Sequence, residues 1–291
     1  FLYSGLVPLF ISGYGGIIII DCRSYPLRGI NEPSKEKSLR GSKDGFVESM
    51  MTNIALIRRR IRDNNLIFKI YSVGSLTKSD VSIAYMKDKT DMSMVKKLDG
   101  ELKKLKIEGL TVTEQTLVER LIGKKLGRFN PFPRVRYTQR PDVIAAHVEE
   151  GKIAIIVDNS PTVILVPAGI FDFVQDVDDY YFPMLTGNYF RMLRIANMLV
   201  ILFATPVYLL FAEGDIPVHE SIKFFITEED FAISVFWQFM LLELAIDGLK
   251  LASLNTPESL GMSLSVIGAL ILGEFSVSSG WFIPQTILCM A

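Results

Sequence analysis

Histidine and cysteine are nearly missing: the 291 residues contain two of each. Cys22 and Cys289 lie in very different segments. No disulfide framework is expected, which fits a reducing compartment around the N-terminal part. His147 and His219 are far apart, with no cysteine or carboxylate at ligand spacing, so no metal site and no cofactor are expected. His147 sits in an apolar stretch with no evident nucleophile, so a catalytic triad or dyad, and with it an enzyme, is not expected. Net charge is also scarce, at −1, and gives no bulk attraction to nucleic acid. There is no secretory signal pattern, no internal repeat and no low-complexity tract. Gly74-Ser-Leu-Thr-Lys78-Ser79 lacks the glycine before the lysine and is too short for a phosphate-binding loop, so it reads as a turn between strands.

Apolar residues, in contrast, are plentiful: they make up 49% of the chain, and mean hydropathy is +0.31. They are unevenly placed. Ile195–Ala212, IANMLVILFATPVYLLFA, runs eighteen residues without a charge. At ~1.5 Å per residue, such a helix matches the ~30 Å hydrocarbon thickness of a bilayer. Charge is concentrated before it. Residues 1–187 are expected to form a soluble α/β or α+β domain, and residues 188–291 an α-helical transmembrane domain. The chain opens mid-pattern at Phe1 and stops inside the apolar run Phe282–Ala291, as expected of a fragment.

In the first part, Val7–Ile11 and Ile17–Cys22 are apolar runs around a glycine-rich turn, a hairpin signal. Asp44 is a plausible N-cap for a helix with apolar residues at Phe46, Met50, Ile54, Ile57 and Ile61. Leu66–Val73 and Val81–Met86 alternate like half-buried strands. Met94, Leu98, Leu102 and Leu105 mark a second helix, and Gln115–Ile122 a short third. Pro141 opens a helix to Glu149 that Gly151 stops. Lys152–Val157 and Thr162–Val166 form a second hairpin. Arg58-Arg59-Arg60 and Arg62 close the first helix, where cations suit its dipole. They read as a solvated face or as a salt-bridge surface between subunits, with Arg58, Arg59 and Arg62 as candidate contacts. Nucleic-acid binding would need a broader basic surface with interleaved aromatics.

Arg191 and Arg194 precede the first span, and a loop rich in acids follows it. Basic residues favour the cytoplasmic flank, which places the N-terminal domain inside. Phe231–Ala252 is apolar at first, then carries Glu243, Asp247 and Lys250. Whether it crosses or re-enters is open, and so is the topology after residue 230. Leu260–Val277 carries Glu274, and Gly261, Ser265, Ala269 and Gly273 recur every fourth residue as a helix-packing stripe. A charge at the bilayer centre costs ~2.5–3.5 kcal/mol, so such residues face a bundle interior or water. Glu243, Asp247 and Glu274 are therefore candidates for an ion path. The alternative is an Asp247–Lys250 pair and an interfacial Glu274, both structural.

Several stretches together resemble the A subunit of the GerA family of spore germinant receptors: Ile17–Asp21 with Arg23 and Pro26, Arg40-Gly-Ser-Lys-Asp-Gly-Phe-Val-Glu48, Thr52-Asn-Ile-Ala-Leu-Ile-Arg-Arg-Arg-Ile61, Ser79-Asp-Val81, Arg140-Pro-Asp-Val143, Gly151-Lys-Ile-Ala-Ile-Ile-Val-Asp158 and Asp179-Tyr-Tyr181. Asp247–Pro257 and Ile267–Glu274 are similar, within the family, to the stage V sporulation protein AF group. The resemblance implies a protein of the spore inner membrane. It further implies homo-oligomers that work with other germination membrane subunits and release cations, with additional helices beyond this chain. It supplies no pore residues. The expectation is a subunit of an oligomeric ion channel or ion-release complex. The rival is a non-conducting scaffold or relay, and a membrane-bound enzyme is disfavoured.

Overall fold

The computed structural model describes residues 7–13, 15–20, 28–33, 36–105, 107, 109, 113–122, 134–212, 214, 233–255, 266–268 and 270–290. The chain divides into two compact units, Phe1–Arg191 and Met192–Ala291.

In the first unit, β1 (Val7–Phe10) and β2 (Ile17–Ile20) pair antiparallel as a separate hairpin, as the glycine-rich turn predicts. The main body holds α1 (Met50–Arg60), β3 (Leu66–Val73), β4 (Ser79–Met86), α2 (Met92–Lys104), α3 (Thr113–Ile122), β5 (Arg136–Thr138), α4 (Pro141–Glu149), β6 (Ile153–Val157), β7 (Val163–Val166) and α5 (Ile170–Val174). The five-stranded sheet runs β3-β4-β6-β7-β5, and every pairing is antiparallel. Two hairpins, β3–β4 and β6–β7, are joined at β4–β6. Their turns use left-handed backbone at Gly74 and Asn159. Of the two architectures the pattern allowed, the antiparallel α+β one is observed.

Both sheet faces are covered, and the pleat separates two cores. Ala84, Met86, Ala154, Ile156, Val163 and Leu165 point toward Ile57 of α1 and Ile144 and Val148 of α4. Val81, Ile83, Ile153, Ile155 and Ile164 point toward Val95 and Leu98 of α2 and Leu117 of α3. That explains why β6, IAIIV, is apolar at every position: a strand buried on both sides has no face left for polar residues.

Two features differ from the sequence expectation. The first helix starts at Met50 behind Ser49, which caps Thr52 N–H, and not after Asp44. Asp44 is drawn away because Arg59, at 2.6 Å, and Arg60, at 2.5 Å, both claim its carboxylate. Phe46 reaches the core from the irregular segment before the helix, its N–H donating to Gln139 O at 2.8 Å. The second difference is β5, a three-residue strand whose pattern is too short to give a period.

The second unit contains residues 192–212 of α6 (Met184–Ala212), which is one continuous helix of 29 residues with Pro206 inside it. It also holds α7 (Val235–Asn255), a π-helical turn at Ile271–Phe275, and α8 (Pro284–Met290). Among the described residues, α6 alone is long and apolar enough to cross a membrane by length and composition. α7 is long enough, but Glu243, Asp247 and Lys250 interrupt it.

Gly151 ends α4 at φ +97°, and a Cβ there would lie 2.7 Å from Lys89 O. Gly151→Ala is expected to cost about 1–3 kcal/mol, from the left-handed backbone alone. A lower urea midpoint for the first unit, with the α6 helix signal unchanged, is the readout.

Candidate functional site

The densest polar arrangement in the first unit is built around Arg140, whose side chain is fully buried. It stands at the N-terminus of α4, just before Pro141. Its Nε and Nη2 donate to the two oxygens of Asp142 at 3.1 and 2.6 Å. Nη1 donates to Glu36 O and Ser38 Oγ, both at 3.0 Å, and Nη2 also reaches Ser42 O at 2.9 Å. One guanidinium thus ties the loop of residues 36–42 to the start of α4. Burial opposes ionisation of Asp142, but bonds from Arg140 and Tyr181 prevail and hold its carboxyl below the usual range. Burial likewise opposes the Arg140 charge, and Asp142 more than restores it.

The second knot lies at the N-terminus of α1. Asp158, at the end of β6, accepts from Met50 N–H at 3.0 Å. Its own N–H donates to Asp80 O at 2.9 Å, and Asn159 N–H to Glu48 O at 2.8 Å. A carboxylate at a helix N-terminus satisfies a donor that the helix cannot. Fully buried Asn53 brackets Val47, accepting its N–H at 2.9 Å and donating to its carbonyl at 2.6 Å. These two bonds fix the irregular backbone that leads into α1.

The third knot precedes α6. Tyr181 Oη donates to Asp142 at 2.6 Å, and Leu39 N–H donates to Asp178 at 3.1 Å. A Cβ on Gly41 would lie 2.3 Å from the Tyr181 ring, so only glycine admits the tyrosine there. Sequence stretches far apart in the chain (38–48, 80, 140–142, 158 and 178–181) therefore form one continuous hydrogen-bonded seam that ends at the entry to α6.

The predicted subunit contacts have internal partners. Arg58 donates to Asp63 O and Leu66 O and lies 5.1 Å from the Phe68 ring centroid. Arg59 pairs with Asp44 while remaining more than half exposed. Arg62 donates to Arg59 O at 3.3 Å. A cleft of about 330 Å³ between α3 and β5 is lined by Glu36, Glu114, Gln115, Tyr137, Gln139 and Thr162. The Glu36 carboxylate is already engaged by Thr138 and Gln139. Among the described residues, no group of histidine, cysteine and carboxylate side chains is placed to hold a metal ion.

In the second unit, α7 packs through Gln238, Phe239 and Leu242, all buried. Gln238 accepts from Ile283 N–H and Thr286 Oγ1 and donates to Ile233 O, a fully buried polar clasp between α7 and α8. Glu243 and Asp247 are exposed and share another face of α7 with Lys250. Asp247 and Lys250 approach to 3.9 Å, the loose edge of an ion pair. Glu274 is exposed on the π-helical turn. Of the packing stripe, Gly261, Ser265 and Ala269 lie outside the described residues. Gly273 has no described atom within 4 Å of where a Cβ would stand. Among the described glycines of this segment, Gly268 makes a close approach, where a Cβ would meet the Leu249 side chain at 2.8 Å.

The profile of the Bacillus/Clostridium GerA spore germination protein family matches residues 1–291. The chain belongs to the GerA family. GerA relatives in Bacillus subtilis (strain 168) include "Stage V sporulation protein AF", 39% identical over 98% of this chain and 57% of that protein. "Spore germination protein KA" is 31% identical over 100% of this chain and 53% of that protein. The chain thus spans little more than half the length of these GerA proteins. A solved structure, the N-terminal domain of the A subunit of the Bacillus megaterium spore germinant receptor GerK3, is 36% identical. It covers 43% of this chain and 97% of that one, at a TM-score of 0.34. The seam described above is made of the stretches that carry the GerA resemblance. Its hub, Arg140, has no sequence signal as a functional residue beyond that motif, and Gln238 has only its position as an amide in an apolar run.

Two outcomes test the arrangement. Arg140→Ala leaves the half-buried Asp142 without its counter-ion, held by Tyr181 and Val143 N–H alone, and a loss of about 3 kcal/mol, the low end for breaking a buried pair, is expected from the thermal or urea transition of the first unit. His147, 1% exposed, tests the electrostatics. Burial, aided by Lys152 and Arg136 and opposed by Glu150, holds its pKa below the ordinary value. The folded state then prefers neutral imidazole. Its contribution is complete above about pH 6.5 and declines as pH falls toward the lowered folded value. The transition midpoint should drop as pH falls below about 6.5, and His147→Gln should flatten that slope.

Proposed function

We propose that this chain is a non-enzymatic membrane subunit of a spore germination complex, one that assembles with copies of itself and with other germination membrane subunits around an ion path. The observation that carries the reading is the exposed face of α7. Glu243, Asp247 and Lys250 lie on one side, while Gln238, Phe239 and Leu242 pack on another. In an otherwise apolar helix, a charged face turned to lipid would cost several kcal/mol, so it must meet water or a partner subunit. A ring of copies with that face inward supplies both. Family membership supports the setting, and the apolar length of α6 supports a spore inner membrane location, with Arg191 and Arg194 favouring a cytoplasmic first unit.

A non-conducting scaffold is the second reading. The Asp247–Lys250 approach favours it, because a self-paired charge asks for no ion. In that case the seam from Arg140 to Tyr181 would serve to fix the first unit to the helix that follows.

The test is potassium efflux from liposomes that contain the full chain, with and without co-expressed partner subunits. Efflux that needs the protein and falls at least several-fold in Glu243→Gln is expected. Folded, oligomeric protein without efflux under either condition would establish the scaffold.

A further inference from the structure

α5 is amphipathic the wrong way round for a helix on the outside of a water-exposed domain. Its polar residue, Asp172, faces the sheet, where Lys152 pairs with it and Gly169 N–H donates to it at 2.7 Å. Its apolar residues face out: Ile170, Phe171 and Phe173 are 53, 66 and 44% exposed. The helix is held in this orientation from behind, since Arg136 also donates to Gln175 O at 3.3 Å. Ten residues later α6 begins with Met184 and Leu185, which are 85 and 84% exposed, the most exposed apolar side chains in its length. Tyr189 and Phe190 follow in the same stretch, with ring centroids 5.8 Å apart. The segment between them is fixed to the first unit by Tyr181 and Asp178 and by Gly187, whose Cβ position lies 3.1 Å from Asp179 O.

We propose that α5 and the first turn of α6 form an interfacial anchor that lies in the headgroup zone of a phospholipid bilayer. The occupant follows from continuity: α6 runs unbroken from Met184 into the apolar stretch that ends at Ala212. The lead-in to that stretch is therefore at the depth where a membrane-crossing helix meets water. Aromatic and large apolar side chains beside arginine are the composition that this zone takes. Water and lipid headgroups in that zone can meet the backbone groups that a helix as short as α5 leaves open. The anchor would set the height and tilt of the first unit on the membrane. The inference rests on the membrane reading of α6 made above.

The full chain, with Cys22→Ser and Cys289→Ser, carries a single added cysteine bearing an environment-sensitive fluorophore. It is reconstituted in vesicles of phosphatidylcholine and phosphatidylglycerol containing spin-labelled lipid quenchers placed shallow or deep. Phe171→Cys and Met184→Cys are expected to shift to the blue and to lose most of their emission to the shallow quencher. Leu202→Cys, in mid-α6, should respond to the deep quencher, and Leu76→Cys, on the β3–β4 turn, to neither. A label at 171 that behaves like the one at 76, while 202 is quenched, overturns the anchor and leaves the span standing. A label at 171 that is blue-shifted but indifferent to both quenchers overturns it in favour of cover by protein. A label at 202 that is indifferent removes the membrane reading, and the anchor with it.

Discussion

The buried guanidinium of Arg140 is the constraint on which the first unit depends. A fully desolvated cation is tolerable only if its donors are used and its charge is met. Asp142 supplies the charge, and the carbonyls of Glu36 and Ser42 and the hydroxyl of Ser38 use further donors. Each of these acceptors must therefore be where it is. The loop of residues 36–42 has no regular secondary structure, and this set of bonds gives it a conformation. Asp142, fixed by Arg140, then becomes the acceptor for Tyr181, and the chain leaving the sheet is located in turn.

The sheet beneath has its own logic. Two antiparallel hairpins meet at β4–β6, and helices cover both faces. Burial on both sides makes the central strands tolerant of little besides aliphatic residues. The polar requirements of the unit are displaced to the strand ends and helix starts: Asp158 at α1, Arg140 at α4, Asp172 behind α5. The second unit repeats the solution with fewer groups. Gln238 joins α7 to the start of α8.

Function, on the proposed reading, follows from where charges are left unburied. In the first unit, nearly every arginine singled out from the sequence is spent on carbonyls and on Asp44. In the second, Glu243, Asp247 and Glu274 remain exposed. The contrast is physical. Internal partners remove a charge from the set available to other molecules, and an exposed charge on an apolar helix, even one loosely paired like Asp247 with Lys250, asks for water or another subunit.

The sequence by itself determined much of this protein. Period-2 alternation located β3 and helical spacing located α2, because side-chain direction is a local property of backbone geometry; Pro141 and Gly151 bracketed α4, and apolar runs around turn residues located the β1–β2 and β6–β7 hairpins. The long uncharged run located α6 from Ile195 to Ala212 by its length and lack of charge, and the motif stretches carried the family. What only the tertiary structure decided was partnership. Asp44 looked like a cap and became the counter-ion of Arg59 and Arg60, because helix start sites compete with any cation that folding brings near. The three residues of β5 were too few to show a period and exist only as an edge on β7. Gly268, not Gly273, meets a neighbouring helix among the described glycines of that segment, because the side of a helix that packs is set by its partner. The outward apolar face of α5 was hidden as well: five residues cannot reveal which side is inward until Lys152 arrives from β6's end to claim Asp172.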